Sequence, residues 1–289
     1  MLYGPDFIRR TTLPNPNLET TASEALLAKI QDLLGKQHEV LYYGPQSEKE
    51  VAEALAAHHK TPAELQPLEK KHVQLLPTDE SQVLMAQYDA KQLYYMQFSN
   101  LGKQFDVTAD PEITLYNEYF GGGMNSIVFQ EMREARGLAY SASARIMQPG
   151  YADRNYGYMA FIATQNDKMR TAIEAFDEII NNMPESEAAF NIAKDGLISR
   201  LRTDRTVKDQ VLWSYIDQRD MGLGEDRNKQ IFEKVQAMTL ADVKTAQEKW
   251  VKDRKYVYGI LGDIQDLDLN YLKTLGPIRT VSQEEIFGY

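Results

Sequence analysis

The chain has 289 residues, of which 43% are apolar and 26% charged, the proportions of a globular protein with room for one large or two medium domains. Its formal net charge of −10 argues against non-specific binding to nucleic acid or anionic membranes, which need basic surfaces. The absence of cysteine excludes disulfides, thiolate zinc sites and cysteine nucleophiles.

No apolar run reaches the roughly 18 residues of a membrane span. The opening stretch, MLYGPDFIRRTTLPNPNLETT, lacks the apolar core of a signal peptide and reads as an extended Pro/Asn-rich segment, as if the sequence began inside a larger unit. TASEALLAKIQDLLGK then places Leu26, Leu27, Ile30, Leu33 and Leu34 at helical spacing, with Gly35 as a stop. EVLYYG predicts a short strand, and SEKEVAEALAAHH a second helix capped by Ser47. KTPAELQPLEKKHVQLLPTDES, with three prolines, reads as a linker.

SQVLMAQYDAKQLYYMQFS predicts strands. A helix follows, with Asp110 as a cap, Pro111 at its first position and Ile113, Tyr116 and Phe120 as its apolar stripe. Gly121–Gly122–Gly123 ends it, in a tight turn that uses the freedom of glycine at positive φ. Ser126 caps a second helix with the stripe Val128, Met132 and Ala135 and the terminator Gly137. LAYSASARIM and YGYMAFIAT read as an antiparallel pair joined by a Pro-Gly loop. NDKMRTAIEAFDEIINNMP is amphipathic through Ala172, Ile173, Phe176, Ile179 and Ile180. Three more helical stretches to about residue 250 and a strand near Ile260 complete the pattern, which predicts an α+β fold with helices on one sheet face. A weak repeat supports two related units: residues 21–44 lie over residues 239–262 at an offset of 218, with Gly44 on Gly262.

Most familiar chemistries are missing. GGGMNS follows a helix and lacks the Lys-Ser/Thr of a phosphate-binding loop. The four histidines, His38, His58, His59 and His72, form neither HExxH nor HxxEH, and their default reading is ordinary surface residues. No GxSxG serine is present, and no carboxylate pair stands out. Arg133 and Tyr140 remain: a helix end and a strand start, joined by a turn at Gly137, that could present a guanidinium and a phenol on one surface as hydrogen-bond donors. A surface Arg beside a half-buried strand Tyr is the alternative.

The block YNEYFGGGMNSIVFQEMREARGLAYSASA resembles the C-terminal repeat of the pitrilysin/insulinase family of zinc metallopeptidases, with its Gly-Gly turn and RE-x-x-GLAYS signature. The resemblance runs from about residue 21 to about residue 270, and its variant looks most like bacterial, Bacteroides-type members. It implies a LuxS/mitochondrial-processing-peptidase-like metallohydrolase fold, with a mixed, mostly antiparallel sheet. It implies two homologous halves of two units each, closing around a chamber, with zinc held by HxxEH and a distal glutamate in the first half. Arg133 and Tyr140 have the seven-residue spacing of the family's substrate-binding Arg–Tyr pair. With no HxxEH here, the implied zinc belongs to the half that this sequence lacks, and no catalytic or metal residue is expected on this chain. On this reading residues 1–62 are the tail of a preceding unit, 63–78 a linker and 79–289 the complete C-terminal unit. The implied partners are an N-terminal catalytic half, on the same chain or a separate subunit, and a peptide, in a bacterial periplasm; no nucleic acid or membrane partner is expected. An inactive scaffold subunit of the same fold is the alternative.

Overall fold

The structure, a computed structural model, describes residues 2–4, 7, 11–68 and 73–287. Among these, six strands form one sheet: β1 (Gln82–Gln87), β2 (Gln92–Gln104), β3 (Ser141–Met147), β4 (Asn155–Gln165), β5 (Val257–Gly262) and β6 (Ile278–Thr280). Their order is β3-β4-β2-β5-β1-β6. β2, β4, β3 and β5 pair antiparallel, whereas β1 runs parallel to both neighbours, β5 and β6. The sheet is therefore mixed and mostly antiparallel, as expected.

Side chains alternate along each strand. Leu93, Tyr95, Ala142, Ala144, Ile146, Tyr158, Ile162 and Ile260 face one way, into the core. The helices that cover them are α4 (Asp110–Phe120), α5 (Ile127–Phe129), α6 (Met169–Asn181), α7 (Glu187–Thr203), α9 (Arg227–Val235), α10 (Leu240–Trp250) and α11 (Leu269–Leu275). On α6 the predicted stripe of Ala172, Ile173, Phe176, Ile179 and Ile180 is buried throughout. Each large member contributes about 1.5–3 kcal/mol by leaving water. α8 (Gln210–Asp220) buries no residue. Between residues 181 and 250 the described chain thus has four helices, one more than the sequence pattern separates, because exposed α8 lacks a buried stripe. The other sheet face carries little helix. There the short α12 (Gln283–Phe287) lends Ile286 to a groove with Leu84, Ala86 and Met96.

The N-terminal segment departs from expectation in two places. Asn15–Thr20 is a helix, α1, entered through Pro14 and Pro16 rather than extended. Proline suits a first helical turn, where its missing N–H has no helical partner anyway. Next come α2 (Ser23–Leu33) and α3 (Glu48–His58), the latter opened by Ser47 in a capping box with Glu50. EVLYYG is not a strand. Its counterpart in the repeat, β5, lies between β1 and β2 and bonds on both sides. Residues 39–44 have no such neighbours among the described residues, and Val40 and Tyr43 are half exposed or more. A strand without ladder partners has little to hold it. None of α1, α2 and α3 buries a residue, which leaves Leu26, Leu27, Ile30 and Leu33 more than half exposed. The 63–78 stretch is irregular where described; residues 69–72, with His72, lie outside the described residues.

Asp110 is not a cap. The preceding turn is capped by Asp106, whose carboxylate accepts from Thr108 N. Asp110 is instead 1% exposed and paired through both oxygens with the Arg227 guanidinium. Burial pushes its carboxyl up from the ordinary range, against the pull of Arg227.

The triple glycine also works differently from expectation. None of Gly121, Gly122 and Gly123 has a positive φ. Gly121 is needed for space: a Cβ there would lie 2.1 Å from the Ala144 carbonyl oxygen of β3, and one on Gly122 2.7 Å from the Asn117 oxygen. α4 therefore ends pressed against the edge strand. Asn117 fixes the contact, with its amide bonding both the N–H and the carbonyl of Ile146 at 2.8 and 2.9 Å.

Candidate functional site

The most exposed part of the signature block lies where α5 returns to the sheet. Ser126 caps the helix, accepting from Phe129 N at 3.5 Å and donating to Gly123 O at 2.6 Å. After Phe129 the helix widens, and Gln130–Ala135 is π-helical. Val128 and Met132 are fully buried, but Ala135 is exposed and leaves the predicted stripe. A wider turn rotates later residues away from the face that a 3.6-residue period predicts.

Gly137 turns the chain at φ +58°. The Met132 carbonyl accepts from both Leu138 N and Ala139 N, at 2.9 and 3.2 Å. The Thr164 hydroxyl donates to Leu138 O at 2.6 Å, and Lys168 Nζ to Gly137 O at 3.3 Å. Tyr140 N then donates to Ala163 O at 2.9 Å, which sets Tyr140 at the head of β3.

This turn brings Arg133 and Tyr140 together. The Arg133 guanidinium carbon lies 5.8 Å from the Tyr140 ring centre and 4.9 Å from that of Phe129. Cation–π contacts of this kind orient exposed side chains for about 0.5–1 kcal/mol. Tyr140 is 76% exposed, and its hydroxyl has no hydrogen-bond partner among the described residues. Besides these ring contacts, Arg133 has among the described residues a loose ion pair, 3.7 Å to Glu134. Arg136, one turn on, is committed to structure: it bonds Glu178 on α6 at 2.8 Å and lies 3.5 Å from Glu131. A cavity of about 240 Å³ opens beside Tyr140, walled by Gln92, Thr164 and Lys168. The geometry thus offers a fork of guanidinium donors and a phenolic donor at an accessible edge.

Two histidines that the sequence kept apart meet. His38 Nε2 and His59 Nε2 are 2.7 Å apart, and His38 Nδ1 lies 2.6 Å from Lys36 O. A zinc site needs three or four protein ligands. No cluster of three or more His, Cys, Asp or Glu side chains with metal-binding geometry exists among the described residues, so this pair does not fit a zinc centre.

A feature that sequence reasoning did not single out lies at the other end of β3. Arg145 and Arg154 line one cavity of about 460 Å³ under the β3–β4 hairpin. The signal was present in the alternation Ser141, Ser143, Arg145 on the outward face of β3 and in Arg154 just before β4.

Residues 24–197, more than half of the chain, match the family described as peptidase M16 inactive domain. No curated protein sequence matches. Among solved structures, a peptidase M16 inactive domain from Pseudomonas fluorescens superposes with a TM-score of 0.61 at 18% identity, over 86% of this chain and 60% of its own. A conserved protein from Enterococcus faecalis superposes at 0.66 and 16% identity, over 86% and 57%. A protease from Helicobacter pylori gives 0.58 and 14%, over 86% and 60%. At these identities the likeness is one of fold, and the chain spans 57–60% of the length of these structures.

Proposed function

Because this chain belongs to the peptidase M16 inactive-domain family, we propose that it forms the C-terminal, substrate-chamber half of a zinc-dependent metalloendopeptidase. It holds peptide and leaves the metal to a catalytic half that it pairs with. On this proposal residues 79–289 form the C-terminal unit, 63–78 a linker and 1–62 part of a homologous unit. The more than half-exposed Leu26, Leu27, Ile30 and Leu33 of α2 support the last assignment, since such a run wants cover.

The observation that carries the reading is the approach of Arg133 and Tyr140 at an exposed edge, 5.8 Å apart and both with donors to spare. A peptide carbonyl gains negative charge when attacked, and preorganised donors stabilise that charge. The Arg133 fork and the Tyr140 hydroxyl act as such donors to the substrate backbone. Part of their contribution is positioning of the bound peptide, which appears in KM. A scaffold role is the second reading; it requires neither donor.

The test joins this chain to its catalytic half and measures turnover of a quenched peptide. Removing one oxyanion donor typically costs about 10²–10³ in turnover. Tyr140→Phe deletes only the hydroxyl, so it lowers turnover with thermal stability unchanged. Arg133→Ala does the same or worse. Wild-type kinetics in both variants would mean that the pair is structural, and the scaffold reading would stand.

A further inference from the structure

We propose that the cavity under the β3–β4 hairpin is a carboxylate-binding subsite that captures an acidic group of a peptide, with Arg145 and Arg154 as the recognising side chains. The cavity, about 460 Å³, is of ligand-pocket size and is lined, among the described residues, by two arginines and no acidic residue. That is a local reversal on a chain of net charge −10.

The amide side chains in the wall are already engaged. Asn117 is spent on the backbone of Ile146 at both ends of its amide. Gln148 donates to Asp110 Oδ1 at 3.0 Å. The Asn155 amide donates to Asn100 Oδ1 at 3.2 Å. The guanidiniums are not engaged in this way. Arg145, exposed on β3, makes no ion pair or side-chain hydrogen bond among the described residues. Arg154 stacks over Tyr151, 4.4 Å from the ring centre, and its Nε is buried without a hydrogen-bond partner among the described residues. Neither guanidinium has an acceptor or carboxylate partner among the described residues, and both line the cavity, where they can meet an acceptor from outside.

Planar guanidinium forks match carboxylates with two parallel hydrogen bonds. The same wall has an apolar side in Val73, Leu75 and Met147. Gly157 keeps that side open, since a Cβ there would meet Met147 Cε at 2.8 Å. Charge beside an apolar wall suits the last residue of a peptide, with its side chain against the wall and its terminal carboxylate on the arginines. An internal Asp or Glu offers the same carboxylate. The choice of a peptide rests on the proposed function; the preference for a carboxylate rests on the cavity alone. Arg145 lies five residues along β3 from Tyr140, or roughly 17 Å at strand rise, so the two positions mark separate parts of the surface.

The test needs only this chain. Three fluorescent decapeptides of one sequence are titrated by anisotropy: a free C-terminus, a C-terminal amide, and an amide with one internal Glu. The expected result is at least tenfold tighter binding of one of the acidic peptides than of the plain amide; which one it is names the source of the carboxylate. Arg145→Gln, at an exposed position, should abolish that preference without changing thermal stability. Tyr140→Phe should leave the preference intact, so failure of the Arg133–Tyr140 reading and failure of this one are separable. Equal binding of all three peptides, a preference that survives Arg145→Gln, or full competition by millimolar inorganic phosphate would each overturn the proposal.

Discussion

Asp177 provides a quantitative test of how the core is built. It lies on α6 among residues that pack on the sheet, and its side chain accepts no hydrogen bond among the described residues. Burial alone raises its carboxyl from the ordinary 3.8 to about 6. The groups around it are phenols: Tyr95 on β2, Tyr158 on β4, Tyr256 and Tyr258 at β5, and Tyr271 on α11. The nearby guanidinium on its own helix, Arg170, is taken by Glu174 at 2.8 Å and Asp268 at 3.8 Å. Asp177 is therefore a carboxylate that the fold tolerates better when protonated.

The sign follows by linkage. A carboxyl raised in the folded state favours folding when protonated, so its contribution is best below about pH 4 and is lost as pH rises through about 6. The difference between 3.8 and about 6 is worth up to ~3 kcal/mol once both states have ionised. Partial exposure of the residue lowers the expected figure to about 1–3 kcal/mol. Asp177→Asn keeps the shape and removes the ionisation. Urea unfolding of both proteins from pH 4 to pH 8 should show near-equal stability at pH 4 and a variant more stable by about 1–3 kcal/mol at pH 8. A stability difference that does not change with pH, or a less stable variant at pH 8, would refute the argument.

Gly121→Ala should destabilise by at least about 2 kcal/mol, because its Cβ would meet backbone of β3 that cannot move cheaply, whereas Gly123→Ala, with nothing within 4 Å, should be near neutral; equal melting temperatures for the two would sink the space argument. Arg227→Ala strands the buried Asp110 carboxylate and should cost about 3–5 kcal/mol at pH 7 in a denaturant titration, less in acid, where Asp110 is neutral. Metal analysis of the purified chain should find no tightly held zinc and peptide assays no cleavage; one zinc per chain, lost on changing His58 or His59, would contradict this. Tyr140→Phe and Arg133→Ala should lower turnover of the enzyme joined to its catalytic half by about 10²–10³.

Where the sequence could be read, one period decided the element. The α6 stripe at 172, 173, 176, 179 and 180 is buried as its spacing predicts, and the alternating residues of β4 face two ways. Ser47 and Ser126 cap the helices that their hydroxyls announce. The failures share a different cause: the deciding partner is far away in sequence. Asp110 looks like a cap until Arg227, 117 residues on, claims it. EVLYYG has strand composition and no ladder. Gly121–Gly123 reads as a turn that needs positive φ, but the constraint is the approach of β3, which local sequence does not display.

The candidate site shows the same division. Spacing alone puts Arg133 and Tyr140 on either side of a turn, and the turn at Gly137 is where it was expected. What spacing does not reveal is the helix type. Carried on as an α-helix, the Val128–Met132–Ala135 stripe would keep Ala135 inward. The π-helical Gln130–Ala135 breaks that register: Met132 stays buried and Ala135 emerges. Met132 is the fixed point of the arrangement, because its side chain anchors the helix in the core while its carbonyl receives the N–H groups of both Leu138 and Ala139. The residue after it, Arg133, is thereby directed outward next to Tyr140. A widened turn costs regular hydrogen bonding and is frequent at functional sites. Here it makes the difference between a buried helix end and a guanidinium set over an exposed tyrosine.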